Sequence, residues 1–442
     1  MKRTITEKLL AWKNHTHRKP LLLTGVRQCG KTTVIKQFGD AAFEDSIYLN
    51  FEENPNLSDI FLYDYDVTRI LNEIQSATGI RPEQGKTLLI LDEIQECPRA
   101  ITSLKYFCEN LRELHVIAAG SLLGVALRNE SISFPVGKVN RMQMYPMSFF
   151  EFVTAAGSGP MLEILRNWPA DRMIPPLYSV PMEKLLRDYY IIGGMPEVVS
   201  EWLKTGDYAL ADEIQNEILS GYADDFSKHA PVKEIEKIRW VWSSVPKQLA
   251  KENNKFVFSH VREGKRSSEL EDALQWLVDA GLVHKLELVE NVEIPLSSAA
   301  DAAWFKVYLS DIGLLRKQSG LAYRTILEKN ELFTRFKGAF AENYVMNELL
   351  VLGYQPYFWR SGNMAEIDFL IEDENRVIPL EVKAADNTQA KSYKSFCRKY
   401  SPETGIKISM KNIAENRVEN TRTVSLPHYM LWTLDRYLGR YV

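Results

Sequence analysis

The stretch LLLTGVRQCGKTT, residues 21–33, decides the fold of the first part of the chain. Gly25, Gly30, Lys31 and Thr32 fit the pattern G-x-x-x-x-G-K-[ST], in which a loop wraps its backbone N–H groups around phosphates. Lys31 brings a positive charge to the β- and γ-phosphates, and the Thr32 hydroxyl can bind Mg²⁺. The predicted nucleotide-binding residues are Gly25, Val26, Arg27, Gln28, Cys29, Gly30, Lys31, Thr32 and Thr33.

The sequence on either side of this loop supports the prediction. Leu21, Leu22 and Leu23 are apolar, as a buried strand requires, and residues 33–38 can continue as a helix. A helix that begins at the loop points its N-terminus at a bound anion. The alternative is a chance glycine-rich turn, which would not need this order of strand, loop and helix.

Composition limits the classes of protein to be considered. The length of 442 residues predicts two to four domains. The net charge of −4 gives the chain no general attraction to nucleic acid. Its four cysteines include no C-x-x-C pair, which argues against a zinc site or a disulfide framework and favours a reducing cytosol. We expect a cytoplasmic protein, since no apolar segment resembles a signal peptide or a membrane span.

A second polar cluster is predicted where two apolar strands end. Residues 87–94 form a continuous apolar run that closes on Asp92 and Glu93, as a fully buried strand does at its ligand-binding end. Asp92 suits a direct or indirect role at Mg²⁺, and Glu93 suits the activation of an attacking water. The strand of residues 115–119 leads to Ser121, which can contact the γ-phosphate or simply cap the next helix.

The rest of the first half is predicted from its periodicity. Residues 1–20 contain a short amphipathic helix, residues 46–51 a second strand and residues 59–78 a helix. Residues 155–182 are rich in Gly, Pro and Ala and are predicted as a linker or irregular insertion. Residues 183–230 are predicted to be helical.

Residues 231–300 have the order of a winged helix. Helices are predicted near 233–250 and 268–280, the second with a Ser268–Glu271 capping box, followed by an alternating strand from Leu282. The segment is rich in cations that suit phosphate contacts: Lys247, Lys251, Lys255, Arg262, Lys265 and Arg266. DNA contact and a purely packing role with a solvated basic face are both open.

The last third carries a second group of acidic residues. Asp368 lies in a strand-like run, and Glu381 and Lys383 alternate on the next one, so a hairpin would bring them together. Glu342 lies on a helical face that is otherwise apolar, which is unusual for an acid without a partner. Such carboxylates can bind Mg²⁺ for phosphodiester cleavage. A surface ion pair between Glu381 and Lys383 is the alternative.

Taken together, these motifs resemble a group of prokaryotic proteins that join an AAA-type ATPase domain to a C-terminal domain of unassigned function. The resemblance covers nearly the whole chain and rests on an ordered set of segments: residues 21–33, 92–95, 120–121, 145–152, 193–197 and 309–315. Glu342, Asp368, Glu381 and Lys383 are similar in order to the PD-(D/E)XK nuclease core. That second resemblance implies a restriction-endonuclease-like fold, either active or no longer cutting.

One position departs from the first resemblance. Many relatives carry Arg where this chain has Lys138 after Gly137. If that arginine senses the nucleotide of a neighbouring copy in a homo-oligomer, the role here falls to Lys138 or Arg141, or is absent. Lysine lacks the bidentate fork of arginine.

We therefore predict a multi-domain α/β protein. Its predicted parts are a P-loop AAA-type ATPase (1–154), a linker and helical region (155–230), a winged-helix-like domain (231–300) and a PD-(D/E)XK-like domain (301–442). One hypothesis is an ATPase coupled to DNA processing, with Glu93, Lys31, Ser121 and Lys383 catalytic and with Thr32, Asp92, Asp368, Glu381 and Glu342 at Mg²⁺. The other is a nucleotide-switched module that binds DNA or protein without cutting.

Overall fold

The computed structural model describes residues 1–126, 133–251, 255–328, 334–362, 365–383 and 391–438, with the backbone alone for 334–336. The chain divides into two compact units. The first contains residues 1–146 and 279–282, and the second contains residues 147–278 and 283–442. No described helix is long and apolar enough to cross a membrane.

The first unit alternates strands and helices. Its strands are β1 Leu21–Gly25, β2 Asp45–Asn50, β3 Thr87–Asp92, β4 His115–Ala119 and β5 Asn140–Met144. Its helices are α1 Ile5–Asn14, α2 Lys31–Ala42, α3 Val67–Thr78, α4 Pro98–Asn110 and α5 Leu123–Ala126. Short 3₁₀ helices cover Pro55–Phe61 and Ile94–Glu96.

The five strands form one parallel sheet in the order β2-β3-β4-β1-β5. The interior strand β3 and the central strand β4 are buried at every residue, which confirms the two apolar runs predicted as strands. Parallel strands end at the same edge, so β1, β3 and β4 present the P-loop, the acidic pair and Ser121 on one side of the sheet. The predicted α/β class with a parallel sheet is confirmed.

The second unit begins with a helical region and continues into a large sheet. Its helices are α6 Phe149–Ala155, α7 Gly159–Arg166, α8 Pro176–Ile192, α9 Pro196–Thr205, α10 Tyr208–His229, α11 Ile235–Leu249, α12 Ser267–Asp279, α13 Ile312–Gln318, α14 Tyr323–Leu327, α15 Thr334–Leu352, α16 Lys391–Tyr400 and α17 Leu434–Tyr437. Its strands are β6 Val283–Val289, β7 Ala300–Leu309, β8 Tyr357–Ser361, β9 Ala365–Asp373, β10 Arg376–Val382, β11 Thr404–Ser409, β12 Ala414–Val418 and β13 Thr421–Pro427.

The eight strands follow the order β12-β13-β11-β10-β9-β8-β6-β7. The β8, β9 and β10 strands pair antiparallel as a meander, and β11 returns parallel to β10 after α16. The predicted hairpin between the Asp368 and Glu381 runs is therefore present as β9–β10.

The segment predicted as a winged helix has the expected helices but a different hairpin. The β6 strand pairs antiparallel with β7 and parallel with β8, so the hairpin belongs to the eight-stranded sheet and not to a separate wing. The β7 strand covers Ala300–Leu309 and so crosses the domain boundary that the sequence predicted between residues 300 and 301. The predicted capping box is also wrong, because Ser268 lies inside α12 and Glu269 accepts from the backbone N–H of Arg266 instead.

Two other sequence predictions need correction. Residues 155–182 are not an irregular insertion, since they contain α7 and the start of α8, which has proline at its first position and again at Pro181. Proline at the first turn of a helix lacks only an N–H that has no partner there. The helix predicted over residues 59–78 is shorter, because Asp66 caps α3 by accepting from the N–H of Arg69.

The glycine pair at residues 193–194 serves the fold of the second unit. Asp311 accepts from the N–H of Gly194 at 2.6 Å, and Met147 N–H donates to the Gly194 carbonyl at 2.7 Å. A Cβ at Gly193 would lie 2.3 Å from the Asp311 carboxylate, so only glycine fits there. Burial raises the pKa of Asp311 to about 6. Two of the segments that carry the family resemblance thus interlock as structural elements.

Candidate functional site

The P-loop connects β1 to α2 in the first unit. Gly30 has φ 94°, a left-handed conformation that favours glycine, and its carbonyl accepts the N–H of Val34 to start the helix. A Cβ at Gly25 would lie 2.3 Å from the carbonyl oxygen of Met144 on β5. Both glycines of the motif are thus required by the backbone before any ligand is considered.

Lys31 is held against the loop that it follows. Its side chain is 5% exposed, and its Nζ donates to the carbonyls of Gly25 at 2.8 Å and Val26 at 3.0 Å. The ammonium group therefore lies within the loop whose N–H groups would surround phosphate. The remaining predicted loop residues, Arg27, Gln28, Cys29 and Thr33, lie in or directly after the same turn.

Thr32 and Asp92 meet directly although 60 residues separate them. The Thr32 hydroxyl donates to the Asp92 carboxylate at 2.7 Å, and the Tyr48 hydroxyl donates to the same oxygen at 2.9 Å. Burial and the charge of Asp92 raise the pKa of Tyr48, so it remains a donor. A hydroxyl and a carboxylate side by side are the two protein groups that P-loop proteins present to Mg²⁺.

Glu93 follows with an unusual backbone. Its φ is 48°, in the left-handed region that a glutamate rarely adopts, and this conformation ends β3 abruptly. Its carboxylate accepts from the Gln95 amide at 2.6 Å and lies 3.4 Å from the Ser121 hydroxyl. The structure therefore brings the predicted pair Glu93 and Ser121 together.

Gln95 is a further residue of this group. A Cβ at Gly120 would lie 2.2 Å from the Gln95 Oε1, so Gly120 leaves room for the amide. Among the described residues, this buried Oε1 has no hydrogen-bond partner. Gln95 lies in the segment 92–95, but the sequence does not predict it as a site residue, because only the left-handed turn at Glu93 brings its side chain back to the carboxylate.

The two candidates for contacting a neighbouring nucleotide have local partners. Lys138 forms an ion pair with Glu109 at 2.8 Å, and the Arg141 guanidinium lies 4.5 Å from the centre of the Phe134 ring. Both side chains are partly or fully exposed.

The acidic site of the second unit is centred on the β9–β10 hairpin. Leu380 pairs with Phe369, so the next residues along, Glu381 and Asp368, lie opposite each other. Asp368 also accepts from the N–H of Val382 at 2.7 Å. Opposite residues of an antiparallel pair share one face of the sheet, so the predicted convergence of these two carboxylates is present.

Burial and the charges of neighbouring carboxylates raise the pKa values of these two acids. Burial first, and then the charge of Glu381, raises the pKa of Asp368 well above its usual value. Burial also raises the pKa of Glu381, although Lys383 lies 2.6 Å from its Oε1. The buried Oε2 of Glu381 has no hydrogen-bond partner among the residues that the structure describes.

Glu342 joins the group from α15 through two residues of β7. Its carboxylate accepts from the Tyr308 hydroxyl at 2.8 Å and lies 3.5 Å from Lys306 Nζ. Lys306 also forms an ion pair with Glu366 at 2.6 Å and is only 2% exposed. Burial alone lowers the pKa of Lys306, but the surrounding carboxylates outweigh it and raise that pKa.

Lys306, Tyr308 and Glu366 were missed by the sequence reasoning. One sequence feature points to Lys306: it is the one charged residue in the run Phe305–Leu309, which is otherwise apolar or aromatic. Nothing in the sequence says that this strand lies beside the helix carrying Glu342, since their pairing depends on the whole sheet.

The fit of the acidic site to a divalent metal can be tested on its donors. No three His, Cys, Asp or Glu side chains among the described residues are grouped to hold a metal ion. Two converging carboxylates, one with a buried oxygen that lacks a partner, nevertheless suit Mg²⁺, which is often held by one or two carboxylates with water and substrate phosphate. Asp368 and Glu381 fit the ion, whereas Glu342 is held by Tyr308 and Lys306.

The predicted basic cluster is largely engaged in local contacts. Lys265 pairs with Glu269 at 2.6 Å, Lys251 lies 2.9 Å from His260, and Arg262 lies 4.0 Å from the Trp240 ring centre. Lys247 and Arg266 are exposed. These side chains are not a single uncompensated patch.

Lys255 differs from the others in its surroundings. Its Nζ lies 2.9 Å from the ring centre of Trp304, which is 37% exposed. Burial and then the positive charge of Arg360 lower its pKa. Arg360 pairs in register with Glu366, so this cationic and aromatic group adjoins the acidic site.

Comparison with protein families divides the chain in three. Residues 17–153 match the model of an AAA domain. Residues 183–325 match a domain of unknown function (DUF8612), and residues 337–429 match another domain of unknown function (DUF4143). The first match supports an AAA-type, ATP-binding P-loop domain in this chain.

Known proteins add little about activity. Uncharacterized proteins of Mycobacterium tuberculosis and Mycobacterium bovis are each 24% identical over 389 residues, covering 83% of this chain and 71% of theirs. Among solved structures, a Walker-type ATPase of Pyrococcus abyssi is 15% identical, covering 72% of this chain and 95% of its own, with a TM-score of 0.44. The ORC2 protein of Aeropyrum pernix is 13% identical, covering 74% and 95%, with a TM-score of 0.34. At these TM-scores the structural likenesses carry no argument about function.

Proposed function

We propose that this protein hydrolyses ATP with Mg²⁺ and couples nucleotide turnover to the processing of DNA. The observation that carries the ATPase part is the direct contact of Thr32 with Asp92, beside a glutamate held by Gln95 and Ser121. These groups are the ones that phosphoryl transfer to water requires: a loop for the phosphates, a metal-binding pair and a base.

In this proposal each residue has one task. The P-loop N–H groups and Lys31 bind the phosphates, so Lys31 exchanges its carbonyl contacts for phosphate oxygens. Thr32 and Asp92 would hold Mg²⁺, which when bound neutralises charge on the β- and γ-phosphates. Glu93 orients water and accepts its proton, and Gln95 and Ser121 hold the Glu93 carboxylate in position.

We propose the acidic site as a metal-dependent nuclease centre. Asp368 and Glu381 would hold Mg²⁺, which when bound stabilises charge on a phosphodiester and favours ionisation of water. Lys383 lies on the same face as Glu381 and can contact the scissile phosphate or the developing hydroxide. The β8–β11 order, with α15 before it and α16 within it, supports a restriction-endonuclease-like fold.

DNA is the proposed substrate because of the group that adjoins this site. Lys255 and Arg360 are close enough for their charges to interact, and the exposed Trp304 lies against Lys255. Cations bind the phosphates of a strand, and an exposed indole can stack on a base. The net charge of −4 makes such a local contact necessary.

A second candidate function is a nucleotide-switched module that binds DNA or a protein without cutting. The absence of a three-residue metal group among the described side chains favours it, together with the neutralisation of Glu342 by Lys306. In either case we expect ATP to promote a homo-oligomer in which Lys138 or Arg141 faces a neighbouring nucleotide. Sedimentation with ATP and with ADP tests that expectation.

The deciding experiment measures ATP turnover and DNA integrity in the same reaction. Supercoiled, linear and single-stranded DNA are incubated with the protein, ATP and Mg²⁺ or Mn²⁺, and nicks are counted. Cleavage that Asp368→Asn abolishes and Lys8→Ala, at an exposed position of α1, leaves unchanged supports the nuclease. ATP binding or turnover that DNA stimulates, with the DNA left intact, favours the binding module. Absence of ATP turnover under every condition contradicts the ATPase, and absence of ATP binding contradicts both.

A further inference from the structure

The acidic site contains a cation of its own. Lys306 projects from β7 and is 2% exposed, and it forms ion pairs with Glu366 at 2.6 Å and Glu342 at 3.5 Å. Its ammonium also lies 5.1 Å from the ring centre of Phe358. A buried lysine is costly unless opposite charges surround it, so these carboxylates and Lys306 require each other.

This lysine comes from a different part of the chain than the acids it holds. Lys306 lies within the segment 183–325, and the acids and Lys383 lie within 337–429, which match two separate family models. The two segments meet because β6 pairs with β8 and carries β7 beside it. The charge balance of the site is therefore decided by a strand outside the segment that bears the acids.

We propose that Lys306 acts as an internal counter-cation, which holds Glu342 away from the metal and limits the site to one divalent cation bound by Asp368 and Glu381. This inference rests on the proposed nuclease function. Lys306 is a positioning residue, since its contacts are with Glu342 and Glu366 and not with a reacting group. Tyr308 assists by donating to the same Glu342 carboxylate.

The physical consequence is a competition between two cations. Removal of the Lys306 charge makes the net charge of the acidic site more negative. It also releases Glu342 to turn toward a metal. The acids of this site are Glu342, Glu366, Asp368 and Glu381. A nearby unit charge in an environment of intermediate dielectric changes the affinity for a divalent ion by roughly tenfold or more. A lysine that only supported the fold would not change metal affinity in this direction.

The test is titration of Mn²⁺ into the whole 442-residue chain without nucleotide, followed by calorimetry and by the electron paramagnetic resonance signal of free Mn²⁺. Asp368→Asn defines the binding that belongs to this site. Lys306→Gln and Lys306→Met are then compared with the parent protein and with Lys285→Met. Lys285 lies on the neighbouring β6 and pairs with Glu287, so it controls for the loss of a lysine from this hairpin.

We expect one equivalent of Mn²⁺ in the parent and in Lys285→Met, and at least roughly tenfold tighter or additional binding in both Lys306 variants. Thermal unfolding identifies a variant that does not fold, in which case Lys306→Gln, which keeps a hydrogen-bond donor, decides. Unchanged or weaker Mn²⁺ binding in a folded Lys306 variant overturns the inference.

The outcomes separate this inference from the proposed nuclease. If the parent binds one equivalent and the Lys306 variants bind Mn²⁺ more tightly or in addition, but no DNA is cleaved, the inference stands while the nuclease proposal fails. If the parent binds no Mn²⁺ but the Lys306 variants do, the limit of one cation is wrong and both proposals fail. If the parent binds one equivalent and the variants are identical to it, the nuclease proposal stands and the inference fails. If no variant binds Mn²⁺, both are overturned.

Discussion

The P-loop site and the acidic site handle charge in opposite ways. In the first, the lysine is held by carbonyls of its own loop and the aspartate by two hydroxyls, so each charge meets neutral dipoles. In the second, acids and lysines neutralise one another, and the two central acids have pKa values above their usual range. The first arrangement leaves its charges available for a ligand. The second must exchange existing ion pairs before a ligand can bind.

The largest expected effect sharpens this contrast at the P-loop site. Glu93→Gln keeps the hydrogen bond from Gln95 but cannot accept a proton from water. We expect ATP turnover to fall about 10²–10⁴-fold while ATP still binds. Turnover is measured by phosphate release, with the exposed neighbour Glu96→Gln as the control. Turnover at the parent rate would show that Glu93 only ends β3.

The next effect concerns binding at the same site. Lys31→Ala removes an ammonium whose present partners are carbonyls, so the loop loses no ion pair. We expect nucleotide affinity to weaken about 10–100-fold, the equivalent of one or two charge-assisted hydrogen bonds. Titration with a fluorescent ATP analogue measures it, and Lys8→Ala on the exposed face of α1 is the control. Equal nucleotide affinity in Lys31→Ala and Lys8→Ala would contradict the assignment of residues 25–32 as a P-loop.

A smaller effect is expected when the acidic site loses one of its central ligands. Asp368→Asn keeps the acceptor for Val382 but removes one of the two converging carboxyl groups. We expect Mn²⁺ affinity to fall about tenfold or more, whereas Glu374→Gln in the exposed turn after β9 leaves it unchanged. Equal Mn²⁺ binding by the two variants would mean that the ion pairs, and not a metal, complete this site.

The smallest expected effect concerns Glu348, a buried acid that stabilises the fold and lies outside the acidic site. Glu348 on α15 is 2% exposed and accepts from Phe149 N–H at 2.8 Å, and burial raises its pKa to about 8. The folded state thus binds its proton more tightly than the unfolded state, so stability is fully present below about pH 4.5 and declines as the pH rises to about 8.

Glu348→Gln tests this linkage because the amide can still accept from Phe149. We expect the variant to unfold at the same temperature as the parent at pH 4.5 and to be more stable by about 1–3 kcal/mol at pH 9. Thermal unfolding followed by circular dichroism across this range measures the difference. Parallel pH profiles for the two proteins would contradict the raised pKa of Glu348.

Local patterns predicted much of this molecule. The P-loop, the strand ending in Asp92 and the hairpin with Asp368 and Glu381 each lie within a short stretch, where spacing alone defines geometry. Lys306 and Tyr308 could not be found this way, because they reach Glu342 only through the pairing of β6 with β8. The order of neighbouring strands depends on the competition among all strands for partners, which no local window contains.

The errors in the helical region have a different origin. Prolines in residues 155–182 favoured an irregular segment, yet Pro176 occupies the first turn of α8, where its missing N–H costs nothing. The wing was predicted from the order of helix, helix and strand, which is correct. The described residues of this segment form no separate wing because β6 also pairs with β8, a strand that lies outside residues 231–300.

The shared hairpin limits how this protein can be dissected. A fragment that begins at residue 337, where the last family match starts, would contain Asp368, Glu381 and Lys383 but would lack β6 and β7. One edge of β8 would be left bare, and an unprotected strand edge invites pairing with other copies. Glu342 and Glu366 would also lose Lys306. An insoluble or inactive fragment would therefore give no information about the chemistry of the whole chain. Fragments intended for crystallisation or for transfer to other proteins should begin before β6.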